Sequence, residues 1–104
     1  MATKYAEQYV TVYDMELRNK QAGQHWFDAD AKRFFASRIS EPVYPTPDGA
    51  KVYFVSSERY EREPRMYTVR VMDWDTGSVD TVGEFQEYKT SAAARKVAAQ
   101  LAKS

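Results

Sequence analysis

Apolar and polar positions alternate with a period of two in four stretches of the chain and recur at helical spacing in two others. In Gln8 to Leu17, Tyr9, Thr11, Tyr13, Met15 and Leu17 share one face of an extended backbone, with Val10, Val12, Asp14 and Glu16 on the other, which predicts a first strand. Three further strands are predicted at Lys51 to Ser57, Met66 to Asp73 and Ser78 to Phe85. In the second of these, Tyr67, Val69 and Val71 face one side, while Met66, Thr68, Arg70 and Met72 face the other. Asp75-Thr76-Gly77 supplies the turn of a hairpin, with Gly77 free to adopt positive φ. Glu58 to Arg65 is charged and reads as an exposed loop; Asn19 to Gln24 is polar, contains Gly23 and reads as another.

The helical segments are two. Asp28 is a candidate N-cap with Asp30 in the first turn, and Ala31, Phe34, Phe35 and Ile39 form an apolar stripe with Arg38 near the C-terminal end. Ser40 to Asp48 carries Pro42, Pro45 and Pro47 and cannot continue that helix; it reads as a stiff connector ending in the turn Pro47-Asp48-Gly49. Thr90 or Ser91 opens the closing helix, with Ala94, Val97, Ala98 and Leu101 inward and Arg95, Lys96 and Gln100 pointing away. The order β-α-β-β-β-α predicts one α+β domain over residues 1–104. It has an antiparallel sheet of three to four strands and two helices packed on one face.

Composition narrows the chemistry. A chain of 104 residues can own a core without staples, and the absence of Cys excludes disulfides, thiolate nucleophiles and Cys-based metal sites. No apolar run approaches membrane-spanning length, so the expectation is a cytoplasmic protein. Fifteen basic and fifteen acidic residues balance, leaving no global field to recruit nucleic acid or membrane. The balance is uneven locally: Lys89, Arg95, Lys96 and Lys103 close the chain with no acid among them.

Catalytic constellations are missing from the pattern. His25 is the single imidazole and has no Cys with which to build a zinc site; no metal or cofactor is expected. Ser56, Ser57 and Ser91 lack a nucleophile-elbow context, and the glycines at 23, 49, 77 and 83 form no phosphate-cradling loop. Of the carboxylate pairs, Asp28/Asp30 suits helix capping, Asp73/Asp75 flanks a turn, and Glu84/Glu87 lies at a strand end. The expectation is a protein that is not an enzyme and acts by binding.

Two surfaces are candidates. One is aromatic, Trp26, Tyr53, Tyr60, Tyr67 and Trp74 with Arg70, the residue types that dominate protein–protein hot spots. The other is the basic end of the closing helix, Lys89, Arg95 and Lys96, where a nucleic-acid phosphate could meet side-chain charge.

From Asp28 to Lys103 the order of elements resembles the double-stranded RNA-binding domain, most closely in Ala93-Ala94-Arg95-Lys96-Val97-Ala98-Ala99-Gln100-Leu101-Ala102. That resemblance implies RNA contact through the helix. The family's Gly-Pro-x-His loop is replaced by Glu61-Arg62-Glu63-Pro64, and its lysine run is reduced to Lys89. A broader resemblance lies in Arg33 to Ile39, Val52 to Glu58, Tyr67 to Arg70 and Thr76 to Gln86, which look like small uncharacterised accessory proteins of tailed bacteriophages. It implies a phage protein in the cytoplasm of a bacterial host, binding a host protein to inhibit it or redirect it. A nucleic-acid-binding module is the alternative, and a self-associating structural phage component the second; the oligomeric state stays open.

Overall fold

The computed structural model describes residues 10–28, 37–39 and 42–103. Two helices, α1 (Val12–Gln21) and α2 (Ser91–Lys103), accompany a five-stranded antiparallel sheet. Its strands are β1 (Arg38–Ile39), β2 (Tyr44–Pro45), β3 (Lys51–Glu58), β4 (Met66–Asp73) and β5 (Val79–Val82). The α+β class is as expected.

β3 and β4 pair over their whole length, from Lys51↔Asp73 to Glu58↔Met66, and β5 adds to β4 between Val69↔Val82 and Met72↔Val79. β1 and β2 share the other edge of β3: Arg38 lies opposite Ser57, and Tyr44 opposite Tyr53. The proline connector therefore contains a strand. Pro45 is tolerated because it sits on the sheet edge, where its missing N–H breaks no inner ladder. Arg38 and Ile39, expected at the end of a helix, are strand residues; the rest of that predicted helix, residues 29–36, lies outside the described residues.

The stretch expected as the first strand, Gln8 to Leu17, is a helix over its described part from Val12. A capping box starts it: the Thr11 N–H donates to Asp14 Oδ2 (2.9 Å) and the Asp14 N–H to Thr11 Oγ1 (3.1 Å). Arg18 and Lys20 occupy the last turn, where the dipole favours cations, and Gly23 ends the helix at φ +78°. Met15 and Asn19, one turn apart, are its buried positions.

Alternation along β3 divides the core into two. Val52 and Phe54 pack with Met72, Met15, Val10 and Phe27; Phe54 stacks on Phe27 at 5.9 Å and meets Trp26 edge-on at 5.8 Å. Val55 and Val69, on the other face, pack against Ala94 and Ala98 of α2, whose small side chains let the helix approach closely. Tyr53, Tyr67, Val97 and Leu101 close that second cluster. The two helices thus cover opposite faces of the sheet, not one face. The cause is β3 itself, which carries large apolar residues at both parities and must be covered twice.

Candidate functional site: an arginine-lined groove

The second face is not wholly filled. A groove of about 610 Å³ runs between the first turns of α2 and the β1 edge, lined by Ser37, Arg38, Ile39, Val55, Ser57, Arg65, Tyr67, Ser91 and Arg95. Register explains the convergence. Arg38 pairs with Ser57 and Ser57 with Tyr67, so the three share a face; Arg65, two residues before Tyr67, follows the same parity. Ser91 and Arg95 are one helical turn apart and reach it from above.

Arg65 is fixed in place: its Nη1 donates to the Ser57 carbonyl (3.0 Å) and to Ser57 Oγ (2.8 Å). Burial, and then the charges of Arg38 and Arg59, hold this guanidinium below its usual range. No carboxylate lines the groove, and the first turn of α2 holds no acid. Thr90 caps that helix, accepting from the Ala93 N–H at 3.2 Å. Three positive side chains and a positive helix end therefore meet without an internal counter-charge.

The opposite face carries a closed polar network. Glu58 is 1% exposed; its Oε2 accepts from Arg70 Nη2 (3.2 Å) and its Oε1 from Thr68 Oγ1 (2.8 Å). Arg70 also donates from Nε to Ser56 Oγ (3.0 Å) and from Nη1 to Thr81 Oγ1, and its guanidinium lies over the rings of Trp26 and Phe85. The Gln86 N–H donates to Thr68 Oγ1 at 2.8 Å. With its donors and faces engaged, Arg70 has an internal task.

The predicted aromatic set does not converge. Trp26, Trp74 and Arg70 belong to the α1 face, Tyr53 and Tyr67 to the α2 face, and Tyr60 stands exposed in the β3–β4 loop. Of the basic set, Arg95 lines the groove although it was expected to point away, while Lys89 and Lys96 are exposed outside the lining. Arg38 and Arg65 are the site residues missed; strand parity would have found them only with the β1–β3 register in hand. His25 pairs with Asp28 at 3.2 Å on the surface. Among the described residues no group of three His, Asp or Glu side chains could hold a metal ion, and no helix is long and apolar enough to cross a membrane.

A helix–sheet–helix α+β domain with a cationic groove beside one helix N-terminus is the class that fold and site define. Residues 11–99 match a family of unknown function (DUF7447), and the chain belongs to that family. No curated protein and no solved structure matches it.

Proposed function

We propose that this domain is a non-catalytic binding module, and that the arginine groove receives an anionic group presented by a bacterial protein. The observation that carries this reading is the meeting of Arg38, Arg65 and Arg95, from three separate elements, in a groove lined by no acid. Gathering like charges opposes folding, so their persistence favours a use outside the fold, and Arg with Tyr67 is a combination suited to a protein interface. The bacterial partner, the cytoplasmic setting and an inhibitory or host-takeover role rest on the resemblance to tailed-phage accessory proteins.

Immobilised protein in bacterial lysate at low salt is expected to retain a discrete protein that Arg38→Glu/Arg95→Glu does not retain. Recovery of the bait alone, or of the same proteins by both forms, overturns the reading. A complex that disappears on nuclease treatment transfers it to nucleic acid.

A further inference from the structure

Three kinds of anion could meet three guanidinium groups: a carboxylate, a phosphodiester and a phosphate monoester. The lining discriminates among them. A carboxylate presents two coplanar oxygens and is served by a single guanidinium fork. Here the forks come from β1, from the residue before β4 and from α2, and so approach from different sides. The hydroxyls of Ser37, Ser57 and Ser91 stand among them. A tetrahedral group with three strong acceptor oxygens can use donors spread in this way; a planar one cannot.

Charge points the same way. Helix N-termini are commonly complemented by an acid in the first turn, but α2 has none there and brings Arg95 instead, so helix and side-chain potentials add. Thr90 satisfies the Ala93 N–H, leaving those of Ser91 and Ala92 without an acceptor inside the helix. A nucleic-acid backbone, by contrast, is tracked by cations spaced along a path. In this chain the arginines gather at one place, Lys89 and Lys96 lie outside it, and total charge is zero.

We propose that the groove is a phosphate-monoester site that binds the dianion between Arg38, Arg65 and Arg95. This rests on the binding reading above and names the anion. The groups facing the ligand are those three arginines and the Tyr67 phenol; Glu58 and Arg59 act on Arg65 from the end of β3, and Glu58 is engaged with Arg70. His25 belongs to the loop that follows α1, away from the lining. Titration near neutral pH therefore belongs to the ligand, whose second ionisation lies at about 6.

The test titrates the isotopically labelled full chain and follows the amides of Ser57, Tyr67, Ser91 and Ala92 by NMR. The probes are inorganic phosphate, an alanine–glycine peptide carrying one phosphoserine, the same peptide with glutamate in its place, a nucleoside monophosphate, and a short RNA duplex. Monoesters are expected to move those amides, and to bind about fourfold tighter at about pH 7.5 than at about pH 5.5, the ratio of dianion fractions. The phosphoserine peptide is expected to exceed the glutamate peptide by about tenfold, the gain from added charge and acceptors. Arg38→Lys, which keeps the charge but removes the fork, is expected to weaken monoester binding while leaving amides elsewhere unmoved. Comparison of peptide, mononucleotide and free phosphate then identifies which source of the monoester is preferred. Equal, arginine-dependent binding of the two peptides would remove the phosphate assignment and leave the anion-binding reading standing. Binding of the duplex that is tighter than that of any monoester and flat with pH would also overturn it. Silence of the groove amides toward every probe would remove both.

Discussion

Asn19 Nδ2 donates to the Gly77 carbonyl at 2.6 Å, joining α1 to the β4–β5 turn across 58 positions of sequence. The same amide accepts from the Trp26 N–H at 2.7 Å, and Arg18 Nε donates to the Trp74 carbonyl at 2.7 Å. One helical turn thus fastens both the turn and the aromatic loop. Asn19→Ala is expected to cost about 2 kcal/mol, since it strands a buried carbonyl and a buried N–H. Urea denaturation measures it, and a loss below about 0.5 kcal/mol would mean that water replaces the amide.

Gly77 is constrained twice. Its φ is +75°, and a Cβ there would stand 2.5 Å from the Cβ of Ala22. Gly77→Ala should therefore lower stability by more than the about 1 kcal/mol of a positive-φ substitution alone. Ala22→Gly in the same chain should recover part of the loss, as a double-mutant cycle would record.

The Glu58–Arg70 pair is closed off from solvent on the carboxylate side. Arg70→Leu leaves that carboxylate without its counter-charge and is expected to cost about 3–5 kcal/mol. Glu58→Gln combined with Arg70→Met should cost less than Arg70→Leu alone, because no unpaired charge remains. Equal costs would argue that the network matters through packing only.

Groove arginines should trade stability for binding. Arg38→Gln/Arg95→Gln is expected to raise the urea midpoint at low salt by an amount equivalent to about 0.5 kcal/mol, and to lose that gain at high salt. A destabilised double variant would show that the two side chains hold the fold instead.

Asp48 closes the turn before β3. Its Oδ1 accepts from the Ala50 N–H (2.9 Å) and from Thr46 Oγ1 (2.7 Å), and these bonds, the backbone one foremost, hold the carboxyl below its ordinary value of 3.8. A depressed acid stabilises the fold above that value and loses its contribution as pH falls through the folded one. Asp48→Asn should thus narrow the gap between stability at neutral pH and below pH 3.8. Urea midpoints at the two pH values give the comparison.

The meander was legible in the sequence because its signal is short-range. β4 spans Met66–Asp73 as the alternation predicts, β3 runs one residue further than Ser57, and β5 stops at Val82, before Gly83 at φ +76° turns the chain. α1 was misread because Tyr9, Thr11, Tyr13, Met15 and Leu17 alternate by chance, while its buried positions, Met15 and Asn19, include a polar residue that an apolar pattern ignores. The Thr11-x-x-Asp14 box was the available counter-signal. Arg38, Arg65 and Arg95 could not be grouped at all, since only the pairing of β1 and β4 with β3 and the docking of α2 bring them together.

β3 is enclosed on both faces and paired along both edges, yet none of the three groove arginines belongs to it. Folding and recognition are therefore written in different parts of the chain. Selection can retune what the groove accepts, by exchanging side chains on β1, the residue before β4 and the first turns of α2, while the strand that organises the domain stays as it is.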